Sequence, residues 1–254
     1  MKNIRDFKIS IVTVVLNRRK LLENTIRSII SQNNKSYEII IIDGISTDGT
    51  LDVINKFYKN ISYWVSEKDN GIYDAMNKGL KVASGNYIWF LNAGDEIYSN
   101  NIIQKLTEFD VQPDVFYGDV EYIDFEGIHL GTRKLKKPPE SFNWKNLLNG
   151  MVVSHQSFII RRDKAEFYNL NYKYCADIDW MINSMKKCSD VYNTKLILSK
   201  FLIGGYSKLN IIDSNIERYK ILRKNFAFFP VMYSHIKMGL NFLKYFFETK
   251  KKYY

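Results

Sequence analysis

Four polar loops in the first hundred residues are each associated with an apolar run. The segments read KISIVTVVLNR, YEIIIIDGISTDGT, EKDNGIYDAMNKG and NYIWFLNAGDE. Apolar runs of this length, rich in β-branched residues, are typical of strands buried on both faces, as in a parallel sheet covered by helices. Ligands of such sheets bind at the carboxyl ends of the strands. We therefore expect the polar loops to meet there and to bind a polar, phosphorylated molecule that brings a divalent cation.

Helical patterns alternate with the apolar runs. Leu22, Ile26 and Ile29 recur at helical spacing, for example, with charged residues between them. The alternation predicts an α/β fold with a mostly parallel, Rossmann-like sheet and helices on both faces. Gly85 is predicted to cap the third helix in the left-handed conformation. The predicted strands are Ile9–Val15, Glu38–Ile42, Ile61–Val65 and Tyr87–Leu91, and the predicted helices are Lys20–Gln32, Leu51–Phe57 and Ile72–Ala83.

The second half of the chain has a different pattern. After Pro113 the apolar runs are shorter and alternate with polar residues, which favours antiparallel or edge strands that cover the mouth of the site. A strand is predicted over His155–Arg161 and a helix over Asp177–Lys187. Helical spacing continues from Ile211 to the end. We therefore predict one domain over residues 1–210 and a helical appendage over residues 211–254.

Composition narrows the class of protein. The chain has 254 residues, of which 46% are hydrophobic and 25% are charged, and this balance excludes a disordered or fibrous protein. Its net charge of +10 predicts an anionic partner: nucleic acid, phospholipid headgroups or a phosphorylated substrate. Cys175 and Cys188 have no zinc-site or disulfide spacing, and neither a secretory signal nor a membrane-spanning run is evident. We expect a cytoplasmic protein.

The C-terminal segment predicts an amphipathic helix. Past Pro230, apolar residues follow helical spacing opposite a polar stripe, and the chain ends KKKYY. Such a helix suits the surface of an anionic membrane, where basic residues meet lipid phosphates. Equally, its apolar face could pack on the rest of the chain or on another subunit. The apolar positions are Met232, Ile236, Leu240, Leu243 and Phe247, and the polar ones are Lys237, Asn241, Lys244 and Glu248.

Six segments, in this order and at these distances, resemble the family 2 glycosyltransferases of GT-A fold. They are SIVTVVLNR, IIIDGISTDGT, DNGIYDAMNKGL, WFLNAGDE, HQSFIIRR and ADIDW. The similarity covers about Lys8 to Ser207 and is greatest to bacterial members that build capsular, exopolysaccharide or lipopolysaccharide repeat units. It implies a GT-A domain, a nucleotide-diphosphate-sugar donor, UDP above other nucleotides, a divalent metal and inversion at the anomeric carbon. The implied acceptor is a glycan or a sugar linked to polyprenyl diphosphate.

The resemblance assigns a nucleotide-binding role to residues after the first two strands. Thr13 and Asp43 would contact the base and the ribose, and a carboxylate suits ribose because it accepts two hydrogen bonds from a diol. Alternatively, Asp43 and Asp48 only shape a turn and cap the next helix. We favour the ligand role for Asp43 and the structural role for Asp48. Further candidates for donor binding are Asn17, Asp69 and Asn77.

LNAGDE occupies the position of the family's metal motif, commonly Asp-x-Asp. Here Asn92 and Gly94 stand where acidic residues are common, so Asp95 is the predicted single direct ligand, with Asn92 and Gly94 beside the donor. One carboxylate, diphosphate oxygens and waters suffice for Mn²⁺ or Mg²⁺. The alternative interpretation is an ordinary turn.

ADIDW aligns with the family's Glu-Asp-x-Asp element, which assigns the role of general base to Asp177. Ala176 replaces the family's Glu. The alternative is that Asp177 only caps a helix. Asp179 would point away from Asp177 and would cap or pair. His155 would contact the acceptor or the diphosphate, or would form a structural hydrogen bond.

A second class of function competes with the enzyme. A nucleotide-sugar or nucleic-acid binding protein without catalysis would also be basic. The acidic candidates and the lack of a nucleic-acid motif favour the enzyme. A nucleotidyltransferase would need a glycine-rich phosphate loop after the first strand, and VVLNRRK contains no glycine.

Overall fold

The computed structural model describes residues 7–133, 137–204 and 210–249, and for 241–249 it describes the backbone alone. The strands are β1 (Ile9–Val15), β2 (Tyr37–Asp43), β3 (Tyr63–Ser66), β4 (Tyr87–Phe90), β5 (Glu96–Ile97), β6 (Val115–Ile123), β7 (His129–Thr132), β8 (Phe158–Arg161) and β9 (Val191–Leu202). The helices are α1 (Arg19–Ile30), α2 (Thr50–Lys56), α3 (Ile72–Val82), α4 (Ile102–Glu108), α5 (Ala176–Met185), α6 (Ile211–Asn225) and α7 (Phe228–Thr249).

The strands form one mixed sheet, in the order β3-β2-β1-β4-β8-β6-β9-β5, with β7 paired to β6. The first four strands along the chain are parallel, as the sequence predicts. The sheet then changes character, because β8 is antiparallel to both β4 and β6, while β6 and β9 run parallel. The polar loops after β1, β2 and β4 therefore lie at one edge of the sheet.

Helices cover both faces of the sheet, as predicted. Alternate side chains of β1 point to opposite faces: Ile9 and Ile11 join one core, and Val12 and Val14 join the other. The first core is completed by α1, α2 and α4, and the second by α3, α5 and α6. The α/β class and its GT-A-like sheet are thus confirmed.

Gly85 corrects one prediction. Helix α3 ends at Val82, and Ala83 after it is extended rather than left-handed. Gly85 has a different role, since a Cβ at this position would lie 2.7 Å from the carbonyl oxygen of Lys8. The glycine allows two backbone segments to approach closely. Its N–H donates to Oγ of Ser10 at 2.9 Å.

The C-terminal helices predicted by the sequence are present. Ile221 and Leu222 of α6 are fully buried in the core beside α5. Helix α7 contacts the rest of the chain through Val231, which is buried, and Ser234, whose hydroxyl donates to the carbonyl of Leu148 at 2.6 Å. A boundary at residue 210 stays a prediction, but α6 is an integral part of the core.

The other face of α7 is exposed and apolar. Met232, Ile236 and Leu240 of the predicted apolar stripe face solvent, and Phe229, 81% exposed, extends the same side. The side chains of the remaining predicted stripe residues lie outside the described residues. In the described part of the chain, no helix is long and apolar enough to span a bilayer.

Candidate active site

Two adjoining clefts open at the carboxyl ends of the parallel strands. The large cleft, of about 380 Å³, is lined by the end of β1, by Gly44 after β2 and by Asn92 and Asp95 after β4. The small cleft, of about 270 Å³, contains Asp177 and His155. The two clefts share a wall, so that a molecule in one can meet a molecule in the other. The shared wall consists of Ile72, Asn92, Gln156 and Phe201.

Asp95 is buried at the base of the large cleft, where hydrogen bonds fix its carboxylate. Oδ1 accepts from the backbone N–H of Leu202 and Oδ2 from that of Asn92, each at 3.2 Å. The side chain of Gln156 supplies another hydrogen bond. Burial raises the pKa of Asp95 to about 7, because these hydrogen bonds offset only part of the desolvation of the charged form. A cation bound beside it would stabilise that charged form.

The turn around Asp95 suits a cation site with few protein ligands. Oδ1 of Asn92 is buried and has no hydrogen-bond partner among the described residues. Gly94 has φ of 113°, and a Cβ there would lie 2.6 Å from the side chain of Leu202, so the turn requires glycine. Among the described residues, no group of three or more Asp, Glu, His or Cys side chains could hold a metal. Asp95 and Asn92 would supply hard oxygen ligands to Mg²⁺ or Mn²⁺, which would take further ligands from substrate and water.

Asp177 lies in the first turn of α5 and lines the small cleft. Its Oδ1 accepts from the backbone N–H of Ile178 at 2.9 Å. The N-cap residue of α5 is Cys175, so Asp177 does not cap this helix. Burial raises the pKa of Asp177 to about 6, and the hydrogen bond from Ile178 and, to a smaller extent, Arg218 offset part of the effect. The carboxylate is therefore ionised at neutral pH, yet more basic than an exposed aspartate.

Asp179 faces away from the small cleft, as helical geometry predicts. Its Oδ2 accepts from the side-chain amide of Asn183 at 3.0 Å. Its Oδ1 lies 3.7 Å from Nζ of Lys224 in α6. This carboxylate pairs within the protein, and of the two only Asp177 is open to a substrate.

Glu217 of α6 fixes the backbone that leads into α5. Its carboxylate accepts from three successive backbone N–H groups, those of Lys173, Tyr174 and Cys175, at 2.6–2.7 Å. These amides immediately precede α5, where a negative charge also stabilises the helix dipole. Helix α6 thus fixes the turn that carries Asp177.

Asp69 lies in the large cleft and is paired. Its Oδ1 lies 2.5 Å from Nζ of Lys78, which also contacts Glu67. Burial raises the pKa of Asp69, and Lys78 counteracts the shift. Because two carboxylates surround Lys78, this lysine is not free to screen a phosphate.

Thr13 and Asp43 lie beneath the large cleft and are not among its lining residues. Both are fully buried. Oδ2 of Asp43 accepts from the N–H of Ser46 at 3.0 Å and from the hydroxyl of Ser66 at 2.6 Å. Oδ1 of Asp43 and Oγ1 of Thr13 have no partner in the described residues. Neither side chain lines either cleft, and the roles of Thr13 and Asp43 in nucleotide binding stay predictions.

Asn17 and Asn77 make hydrogen bonds within the protein, and their roles at the donor stay predictions. Oδ1 of Asn17 accepts from the N–H of Thr47 at 2.8 Å, which joins the loops after β1 and β2. The amide of Asn77 makes two hydrogen bonds to the backbone of Tyr168, at 2.7 and 2.9 Å. Neither lines the two clefts. Asp48 also has its expected structural role, because it accepts hydrogen bonds from the N–H groups of Arg19 and Thr50.

His155 is buried in the wall of the small cleft, among aromatic rings. Its Nε2 lies 2.5 Å from the hydroxyl of Tyr168, and its ring stacks on Phe90 with centroids 5.2 Å apart. Burial lowers the pKa of His155 to about 3, so the ring is neutral at physiological pH. His155 therefore contributes a neutral polar side chain to the lining of the small cleft, and not a positive charge.

Sequence reasoning missed four basic residues in the clefts. Arg18 and Lys68 line the large cleft, and Arg133 and Lys173 line the small one. Arg18 and Lys68 lie in the loops after β1 and β3, and this position at the carboxyl ends of strands could have identified them as candidates for ligand binding. No local pattern marks Arg133 or Lys173, because long-range packing alone brings them to the site.

The chain is similar in sequence to known glycosyltransferases. The sequence profile of glycosyl transferase family 2 matches residues 10–167. The chain is 32% identical over 215 residues to a PGL/p-HBAD biosynthesis glycosyltransferase of Mycobacterium bovis (strain BCG / Pasteur 1173P2), and the match covers 80% of each chain. It is 25% identical over 220 residues to TuaG of Bacillus subtilis (strain 168), described as a putative teichuronic acid biosynthesis glycosyltransferase, with 85% and 84% covered.

A solved structure has a similar fold. The crystal structure of S. aureus TarS 1–349 in complex with UDP-GlcNAc superimposes with a TM-score of 0.67 and 16% sequence identity. The match covers 85% of this chain and 65% of that one, so this chain spans less than two thirds of TarS 1–349. At this identity the likeness concerns the fold alone.

Proposed function

Since this chain belongs to glycosyl transferase family 2, we propose that it moves a sugar from a UDP-sugar in the large cleft to an acceptor hydroxyl in the small cleft, with inversion at the anomeric carbon. The acceptor is a glycan or a polyprenyl-diphosphate-linked sugar of bacterial surface polysaccharide synthesis. One observation carries the proposal. Asp95 and Asp177 line separate clefts that share a wall, as transfer between two bound substrates requires. The similarity to TuaG supports the process, and the UDP-GlcNAc bound to TarS supports the donor class.

The large cleft suits a nucleotide diphosphate. Arg18 and Lys68 bring positive charge to its lining. Gly71 and Gly204 line this cleft with φ of 111° and 102°, and a Cβ at Gly71 would meet no described atom within 4 Å, so its backbone is open to a ligand. A divalent cation held by Asp95 and Asn92 would neutralise charge that develops on the departing diphosphate.

Asp177 is the proposed general base. As the acceptor oxygen bonds to the anomeric carbon, the bond from that carbon to the diphosphate oxygen breaks, and UDP leaves with the electron pair. The acceptor proton passes to the carboxylate of Asp177. The raised pKa of about 6 suits this step, since a base acts best when its pKa lies near the working pH while it remains ionised.

The donor class can be tested with purified protein and a panel of UDP-, GDP- and dTDP-sugars in Mn²⁺, Mg²⁺ or EDTA. We expect one UDP-sugar to raise the melting temperature in the presence of metal and to release UDP when acceptor is added. Stabilisation without turnover on any acceptor would favour the alternative, a catalytically degenerate nucleotide-sugar-binding protein. No response to any donor would contradict both.

We also propose that α7 attaches the protein to an anionic membrane surface, on the cytoplasmic face. Phe229, Met232, Tyr233, Ile236 and Leu240 form an exposed apolar stripe, while the opposite side of the helix packs on the domain. The net charge of +10 favours an anionic bilayer over a second copy of the same basic chain. Packing on its own domain does not account for this stripe.

Introducing acidic residues into the stripe is expected to weaken membrane binding. The double variant Ile236→Glu, Leu240→Glu should bind vesicles of phosphatidylcholine and phosphatidylglycerol at least about tenfold more weakly than wild type in a sedimentation assay, because each apolar side chain contributes about 1.5–3 kcal/mol when buried. Tyr58→Glu replaces an exposed aromatic residue on the opposite face of the sheet and should have no effect. Equal sedimentation of wild type and the double variant would refute membrane attachment.

A further inference from the structure

The small cleft contains two basic residues that the proposed chemistry does not use. Arg133 is 9% exposed and lines this cleft together with Lys173. The guanidinium of Arg133 donates from Nη1 to the carbonyl oxygen of Val152 at 3.1 Å and from Nη2 to that of Met151. These two bonds leave further N–H donors of the guanidinium.

The described part of the chain places no counter-charge beside these residues. Within the described ranges, no carboxylate lies at ion-pair distance from Arg133 or Lys173. Asp177 is the sole acid lining this cleft in that part of the chain, and the cation that lowers its pKa is Arg218. A buried guanidinium without a counter-charge is costly, since its desolvation is not repaid by an ion pair. Such an arrangement indicates that the missing anion comes from a ligand.

We propose that Arg133 and Lys173 form an oxyanion subsite for the acceptor, one that binds a phosphoryl or carboxyl group while the acceptor hydroxyl lies at Asp177. This inference rests on the proposed function, because it takes the small cleft as the acceptor cleft. The planar fork of arginine matches two oxygens of one anionic group, and lysine adds a point charge. The donor phosphates have their own basic residues in the large cleft, Arg18 and Lys68.

Aromatic residues in the same cleft are consistent with an acceptor that is anionic at one end and a sugar at the other. Tyr122, Tyr174 and Phe201 line it beside the two basic residues. Aromatic faces accommodate the apolar face of a sugar ring, and they do not compete for the anion. A neutral acceptor would leave Arg133 unpaired.

The subsite can be tested by isothermal titration in EDTA with three probes: geranyl phosphate, glucuronate and glucose. Wild type should bind geranyl phosphate, glucuronate or both at millimolar concentrations, and glucose at least tenfold more weakly. Which anion binds distinguishes a phosphoryl from a carboxyl acceptor. Arg133→Gln and Lys173→Gln should each weaken anion binding at least tenfold. Lys173 has an exposed side chain, so its variant reports on the subsite even if Arg133→Gln fails to fold.

Arg18→Gln is the matched control, because it removes a cation from the large cleft. It should weaken stabilisation by the UDP-sugar and leave anion binding unchanged. If wild type binds neither anion, or if both small-cleft variants bind them as wild type does, the subsite is refuted while donor binding still stands. If the anions bind as expected and no nucleotide sugar does, the subsite stands and the proposed function fails.

Discussion

Replacing Asp177 with asparagine is expected to lower turnover by about 10²- to 10⁴-fold, the usual contribution of a general base. Asparagine has nearly the same shape but cannot accept the acceptor proton. Asp177 lines the small cleft and not the large one, so the affinity for the donor should not change. Single-turnover kinetics with saturating donor, together with donor titration, would measure both quantities.

Asp179→Asn provides a matched control on the same helix. Asp179 contacts Asn183 and Lys224 instead of the cleft, so its variant should retain turnover even if the protein loses some stability. If Asp179→Asn lost turnover and Asp177→Asn did not, Asp179 would be the general base and Asp177 the structural residue. Normal turnover in Asp177→Asn would remove Asp177 from the mechanism.

The pH profile provides an independent test of the same assignment. Asp177 must be ionised to accept a proton, and burial raises its pKa to about 6. Turnover should therefore be constant above that pH and fall as the pH decreases through 6, about tenfold per unit below it. An exposed aspartate would give this loss near pH 4 instead. A profile that is flat down to pH 4.5 would contradict a buried base.

Replacing Asp95 with asparagine is expected to have the second largest effect, a loss of turnover of about 10²- to 10³-fold, typical of removing one electrostatic stabiliser of developing charge. The same variant should lose the stabilisation that Mn²⁺ or Mg²⁺ gives to the donor-bound protein, measured as the shift in melting temperature between metal and EDTA. The physical reason is that the buried carboxylate of Asp95 lines the large cleft, as does Asn92, whose Oδ1 has no partner among the described residues.

Glu96→Gln is the control for Asp95→Asn, because it removes a charge from the adjacent residue. Glu96 pairs with Lys200 at 3.3 Å and is absent from the lining of the large cleft. This variant should retain metal-dependent stabilisation. If Asp95→Asn responds to metal as wild type does, the cation is bound elsewhere or is not used.

Local sequence predicts the elements of the first half closely. The β-branched run Ile9–Val15 forms β1 with the predicted bounds, and the helix predicted over Ile72–Ala83 ends one residue early. Both were predictable because the pattern of apolar residues that marks each element is visible over a few neighbouring positions of the chain. The resemblance to family 2 glycosyltransferases, based on six short segments in order, is confirmed by the family profile.

The sequence predicted the roles of individual residues less well than the elements, because tertiary contacts decide those roles. Gly85 is a close-packing residue and not a helix cap, since the backbone of Lys8, immediately before β1, lies against it. Asn77 hydrogen bonds to the backbone of Tyr168, 91 residues away. The same residue types at the same local positions could have served either role, so the sequence alone could not choose.

By itself, the sequence determined the α/β class, the strands that the polar loops follow, and the family. These could be predicted because the spacing of hydrophobic residues and short motifs are local properties of the chain. Only the tertiary structure decided which carboxylates reach a cleft, how burial raises the pKa of Asp95 and Asp177, and that Glu217 fixes the turn before α5. It also brought Arg133 and Lys173 together. Burial and charge proximity depend on residues distant in the chain, and no local pattern encodes them.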